Sequence, residues 1–345
     1  MENRKRILWI DNIRGVLFFF VMIYHTFLSP SYFRAVYIPV FLTGFFFLSG
    51  YLYRKKENII DSFISLLNGI VIPYGLFSIL LTIWAYISDK SSIFISFYDI
   101  FIKGGDVIWF LPCLIIVELL FILIDRLFAS QIRDIIIISI SAYAFLYIIK
   151  DVPHHYYWNF DTSLFAILFF WLGHKYALYQ PLSSTVSLFQ RSIKVNMGGQ
   201  LLVYLNFLIY MCVCLFVSKI GIGCENADFH MNNIQNKYVF LFLSIWGCYS
   251  LFELFRILPV SPYFAKIGRY TLFMFPFHSY VMRLLMKVVK SSEALEYLYF
   301  NFADISIFIT CAFGAGVLII ICQICEKYCP WVIGKYKYLT IKIEL

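Results

Sequence analysis

Residues 11–25 read DNIRGVLFFFVMIYH, an apolar helical run opened by a carboxylate and a guanidinium and closed by an imidazole. Ionisable groups at membrane depth are costly and rare, so three of them on one such segment call for a specific cause. Outward from this stretch, apolar runs of about 20 residues recur along the whole chain, the length that crosses a hydrocarbon core as a helix. The 345 residues are 61% hydrophobic and 21% aromatic with only 14% charged, which is more apolar material than one soluble core of this size can bury. The runs are continuous rather than alternating, so the backbone satisfies its polar groups as helices. The fold expected is an all-α integral membrane protein. No secretory leader is expected, because Asp11 and Arg14 interrupt the first apolar run and no small-residue cleavage site follows it.

Runs bounded by charge or turn residues place ten spans near 13–30, 36–53, 63–88, 107–124, 132–149, 160–178, 200–218, 238–257, 270–289 and 304–326. With the amino terminus in the cytoplasm, eighteen basic residues fall on inner segments and eight on outer ones. That imbalance places both termini inside. The longest links are 89–106 and 219–237 outside and the Ser-rich 179–199 inside, the last expected along the membrane surface. None is long enough for a folded soluble domain, so 1–345 is read as one membrane-embedded domain. The net charge of +8 lies in short clusters that set topology, and nucleic acid is not an expected partner. The nine cysteines, Cys322 and Cys325 included, have no histidine at metal-ligand spacing and read as small buried hydrophobes; no metal is expected.

The eleven steps from Arg14 to His25 make about three helical turns and roughly 16 Å, which returns both side chains to one face. Asp11 and Arg14, three apart, are neighbours on that helix and can pair. Taken singly, Arg14 can snorkel to the inner interface and His25 can be an interhelical hydrogen-bonder. Snorkelling explains neither Asp11 nor the registered His25, and the stripe as a whole suits a conduit from a cytoplasmic anionic group to a reacting centre in the membrane. Elsewhere, Ser49-Gly50 reads as a close-packing notch or a thioester-positioning turn, and Glu118 as a buried carboxylate in want of a basic partner. His278 and Arg283 share the ninth span and suit a polar helix contact or the site. Trp109 and Trp158 suit the interfacial aromatic belt, and a tryptophan at an outer mouth also stacks on sugars. Asp151 to Trp158, with His154 and His155, reads as an aromatic interfacial loop, since adjacent histidines diverge and no third ligand is fixed by spacing. His174 reads as an interface residue, and His230 in an outer loop carries no signal.

Ile10-Asp11-Asn12-Ile13-Arg14-Gly15, followed by His25, resembles the first-helix signature of the acyltransferase-3 family of multi-pass membrane acyltransferases. Phe45-Phe46-Phe47-Leu48-Ser49-Gly50-Tyr51 resembles its second-helix Phe-Ser-Gly motif, Ile108-Trp109-Phe110-Leu111 its Trp-Phe-Leu motif, and Ile267-Gly268-Arg269-Tyr270-Thr271-Leu272 through His278 its late Gly-Lys/Arg and His region. The opening Trp9-Ile10-Asp11-Asn12 is most similar to the subgroup described as fucose 4-O-acetylase-like. The resemblance implies transfer of an acyl group, usually acetyl from acetyl-CoA, to a hydroxyl of a cell-surface polysaccharide or its lipid-linked precursor, in the cell (inner or plasma) membrane. On that reading His25 accepts the hydroxyl proton, Arg14 holds a CoA phosphate through its two-pronged guanidinium, and Asp11 orients Arg14. Gly15 admits a neighbouring helix or the pantetheine arm, Ser49 and Gly50 lie at the donor, and Trp109 and His278 at the acceptor.

Two rival functions are weighed against this one, the first of which shares the helix count and the buried charges. A transporter or flippase of a lipid-linked glycan is expected to show paired repeats and broken helices in corresponding places, and Pro73 and Pro276 do not occupy such places. A polyprenyl-phosphate-sugar glycosyltransferase wants an acidic residue in an early outer loop, and Ser29 to Tyr37 holds none. If Arg14 grips a phosphate, Arg14→Lys keeps the charge but loses the fork. Its expected effect in initial-rate kinetics is a raised KM for acetyl-CoA with a smaller loss of kcat, and Asp11→Asn should show a milder form. An unchanged KM with lowered kcat would move Arg14 to the reacting centre.

Overall fold

The computed structural model describes residues 7–26, 31–89, 92–105, 108–150, 156–179 and 197–332, and within them the architecture is all-helical. We number the helices α1 (Leu8–Tyr24), α2 (Ser31–Phe41), α3 (Thr43–Leu52), α4 (Ile59–Leu66), α5 (Ile72–Asp89), α6 (Ile93–Phe97), α7 (Phe110–Leu127), α8 (Ser130–Tyr143), α9 (Phe160–Tyr179), α10 (Met197–Lys219), α11 (Lys237–Ile257), α12 (Pro262–Lys290), α13 (Glu293–Asn301) and α14 (Ala303–Tyr328). One-turn π-helical segments at Leu67–Val71, Tyr98–Ile102 and Ala144–Ile148 join α4 to α5 and extend α6 and α8.

Each of the ten expected spans coincides with a helix or a fused helix pair. Among the described residues, seven segments are long and apolar enough to cross a membrane: Tyr32–Leu52, Ile59–Ser88, Ser130–Ile148, Gly198–Lys219, Lys237–Ile257, Pro262–Lys290 and Ile305–Tyr328. Of the other three, α1 has 17 residues including Asp11 and Arg14, α7 holds Glu118, Asp125 and Arg126, and α9 holds Asp161 and Lys175. Boundaries moved where charge was read as a stop. Helix α1 begins at Leu8 and not near 13, because a carboxylate in the first turn is favoured by the positive end of the helix dipole. Helix α12 begins eight residues before 270, at Pro262 in the first helical turn, where a missing N–H costs nothing. The short α6 and α13 lie outside the ten expected spans. Both termini and residues 180–196 lie outside the described residues, and with them the expected cytoplasmic termini and the surface-lying Ser-rich link.

Two crossings bring backbone against backbone. A Cβ on Gly15 would overlap the Phe264 carbonyl, and one on Gly268 would overlap the carbonyl of Asp11. Each glycine therefore faces the carbonyl four residues before the other. Phe18 then meets Phe275 at 5.8 Å between ring centroids, so α1 and α12 run in the same direction. The pair α3 and α9 repeats the device: Gly50 faces the Phe170 carbonyl and Gly173 faces that of Phe47. In lipid, where apolar surface supplies no net drive between helices, such close approach is the main source of association.

Four charges of α7 to α9 are paired with one another. Arg133 Nη1 donates to Asp125 Oδ1 at 2.5 Å, Tyr53 donates to Asp125 Oδ2 at 3.3 Å, and Lys55 lies 3.4 Å from the same oxygen. Asp134 accepts from Arg133, from Trp171 at 2.8 Å and from Lys175. Removing one member of such a buried pair costs about 3–5 kcal/mol, so the network ties three helices and the 53–58 link together. The nine cysteines are unbridged, and six of them are buried. Trp158, expected in the aromatic belt, is instead a clamp: its indole donates to the Phe101 carbonyl at 2.9 Å and its backbone N–H to that of Lys103 at 2.9 Å.

Gly268→Val forces α1 and α12 apart and should abolish the monodisperse peak in size-exclusion chromatography of detergent extracts. Gly316→Val, where the added atoms meet open space, should leave the peak intact.

Candidate active site

Ten residues beyond Gly15 on α1 lies His25, and ten residues beyond Gly268 on α12 lies His278. Because the helices are parallel and in register at the glycines, the two imidazoles arrive together, their ring centroids 4.8 Å apart. His25 follows the last turn of α1, where its own N–H closes that turn on Val21 O at 3.3 Å. His278 is buried, its Nδ1 lying 2.5 Å from the Phe275 carbonyl. A carbonyl only accepts, so the hydrogen-bond network assigns the proton to Nδ1 and leaves Nε2 towards Ser279 Oγ at 3.3 Å.

Both histidines line a cavity of about 430 Å³. Its walls include Tyr24, Phe41, Leu42, Trp109 and Phe275, and its roof is the segment Ala227–Met231 from the link between α10 and α11. Behind Phe275, Phe45, Phe46 and Phe110 pack on it and on one another with centroid separations of 4.9 to 5.7 Å. Trp109 is 9% exposed and so belongs to the site, not to a lipid-facing belt.

The roof corrects the sequence reading most. His230, expected to carry no signal, stacks on Trp109 at 4.7 Å and 25°. Asp228, two residues before it, also lines the cavity; its Oδ1 accepts from the N–H groups of His230 at 3.0 Å and Met231 at 3.2 Å. The link is held to the bundle by Asn159 donating to the His230 carbonyl at 2.7 Å and by Asn232 donating to Asp161 at 2.8 Å. No spacing rule joins residue 228 to residue 25. The one available signal is a run of asparagines, Asn232, Asn233 and Asn236, two of which adopt the left-handed conformation that a tight, ordered loop requires.

The remaining candidates lie towards the opposite end of the bundle. Arg14 Nη1 sits 3.8 Å from Asp11 Oδ1, the i,i+3 pair expected. Ser49 lines a second cavity, of about 330 Å³, with Arg54, Lys56, Ser62, Ser65 and Glu118. Glu118 thus shares a cavity with two cations, though among the described residues it forms no ion pair with either. Gly15 and Gly50 both face helix backbone, Phe264 and Phe170 respectively, so at each of these positions the neighbour is a helix. His174 packs between Tyr53 and Phe121 at 5.6 and 5.2 Å. His154 and His155 lie outside the described residues. Among the described residues no group of three or more His, Cys, Asp or Glu is placed to hold a metal ion.

The arrangement is therefore a paired imidazole in a mostly apolar chamber at one end, cations and hydroxyls in a second chamber at the other, and an aromatic layer between them. It can take a proton from a bound hydroxyl at the first and hold an anion at the second. A family model described as "Acyltransferase domain" matches residues 7–326. No curated protein and no solved structure matches the chain.

Proposed function

Since this chain belongs to the acyltransferase-3 family, we propose that it is a membrane O-acetyltransferase that moves acetyl from cytoplasmic acetyl-CoA to a hydroxyl of a cell-surface polysaccharide or its lipid-linked precursor. The observation that carries this reading is the pairing of His25 with His278 in the wall of a cavity large enough for a small acceptor. The subgroup resemblance at Trp9–Asn12 adds a deoxysugar-containing glycan as one acceptor.

The Arg14 end of the bundle faces the cytoplasm in this reading, following the excess of basic residues there. The donor enters from that side. Arg14, with Arg54 and Lys56 at the second cavity, meets the phosphates of CoA, and Ser49 and Ser62 offer hydroxyls beside the pantetheine arm. The arm passes the layer of Phe45, Phe46, Phe110 and Phe275, which has to part to admit it. At the His25 cavity the acceptor hydroxyl loses its proton to His25 as its oxygen attacks the thioester carbonyl. The carbon–sulfur bond breaks, the CoA thiolate leaves and takes a proton back from the imidazolium, and the acetyl ester and CoA are the products. His278 stands beside the imidazolium with its ring orientation held by the Phe275 carbonyl. Low dielectric around the pair strengthens every charge–dipole contact made during the transfer.

A flippase moves its glycan without making a covalent bond, so transfer of radiolabel from acetyl-CoA to cell-envelope glycan by purified protein separates the two functions. His25→Ala should slow that transfer about 100-fold or more while the protein stays folded in the membrane; near-normal transfer would remove His25 from the mechanism. In sealed vesicles of known orientation, acetyl-CoA should support transfer only from the cytoplasmic face. Activity with donor supplied solely outside would overturn the orientation and the role of Arg14.

A further inference from the structure

Asp228 is the one lining residue of the His25 cavity with a fixed formal charge among the described residues; the others are apolar, phenolic or imidazole side chains. It is also held in place. Its Oδ1 is taken up by two loop N–H groups, and its segment is tied down through Asn232 to Asp161 and through Asn159 to the His230 carbonyl. A reciprocal backbone pair with Asn233, at 2.8 and 3.0 Å, closes the turn around it. Oδ2 has no protein hydrogen bond among the described residues. Asp228 is part-exposed, and an ionised carboxylate oxygen only accepts, so Oδ2 is open to a donor group that enters the chamber.

We infer that Asp228 selects the acceptor, and that the ring entering this cavity is a pyranose carrying hydroxyl or amino groups and no carboxylate. This rests on the acyltransferase reading above and names its substrate class. Vicinal hydroxyls present two donors to Oδ2, while the C–H face of the ring suits the Tyr24, Phe41 and Phe275 walls. Trp109 has one face covered by His230, so it positions the roof; it is not offered as an open platform. A uronic acid would bring a second negative charge against Asp228; the nearest guanidiniums, Arg34 at 5.8 Å from the Tyr24 ring and Arg283 towards His25, stand outside the lining, and the repulsion from Asp228 is the discriminating element.

The test measures binding, independently of transfer. Saturation-transfer difference NMR on the purified full chain in detergent would use methyl glucoside, methyl glucosaminide and methyl glucuronide as probes. The first two should bind, and the glucuronide should bind at least about tenfold more weakly, as expected for a like charge in a partly desolvated chamber. Asp228→Asn keeps an oxygen for the two loop N–H groups, so the turn survives. It should weaken the glucoside and glucosaminide about tenfold and narrow the gap to the glucuronide. Equal binding of all three probes, binding of none, or an Asp228→Asn variant with unchanged preference would overturn the assignment. A radiolabel assay with envelope glycan run beside it reads the acyltransferase function separately: transfer that persists while the probes bind without charge preference sinks only the role of Asp228. Charge-selective binding without any transfer sinks only the acetyltransferase.

Discussion

The contact on which the rest depends is the crossing of α1 and α12 at Gly15 and Gly268. With no side chain on either residue, each helix rests on the other's carbonyl oxygens, and the axes come closer than any larger residue would allow. A crossing of this kind sets position, angle and register at once. Both histidines lie ten residues further along their helices, about 15 Å at helical rise, so the register at the glycines is transmitted to the imidazoles. Ser261 N–H donating to Asn12 Oδ1 at 3.3 Å pins the same pair at its other end. The motif residues Arg14-Gly15 and Gly268-Arg269 thus carry a mechanical part as well as any chemical one.

The second constraint is the distribution of charge. A helix bundle in lipid can hold ionised groups only where they pair or reach an aqueous end. Here the Asp125–Arg133–Asp134–Lys175 network gathers four charges of α7, α8 and α9 into one mutually hydrogen-bonded cluster, on the side of α3 that carries Tyr53. Between that side and the histidines, the interior is a close-packed set of phenylalanines. The consequence is two chambers of opposite chemistry, one able to attract an anion and one able to take up a proton, separated by side chains that can move without breaking a hydrogen bond.

The roof over the histidines is built differently from the helices that wall it. Its order comes from asparagine and aspartate side chains standing in for backbone partners: Asp228 caps its own turn, Asn232 and Asn236 adopt positive φ, and Asn159 reaches across from the start of α9. Such a loop holds functional groups as firmly as a helix does, and it lies over the cavity at the end where the acceptor is proposed to arrive.

Composition and the continuous apolar runs determined that the chain is helical and embedded in a membrane, because in hydrocarbon the backbone is satisfied by helices or by a closed barrel, and a barrel needs alternating strands. The spacing of Asp11, Arg14 and His25 determined their shared helix and the ion pair, since both follow from the helical repeat. Motif resemblance reached the family that the family model matches over residues 7–326. What only the tertiary structure decided is which distant residues meet. That His25 faces His278 depends on a glycine crossing 253 residues apart in sequence (Gly15 to Gly268), and that Trp109 is a buried wall of the site depends on His230 covering it. Asp228 escaped the sequence altogether: an acidic residue in an outer loop is ordinary when solvated, and it becomes unusual only when the fold places it over a chamber with nothing else charged in its described lining. Periodicity encodes the face a residue occupies on its own helix, whereas the partner on that face is set by the packing of helices far apart in the chain.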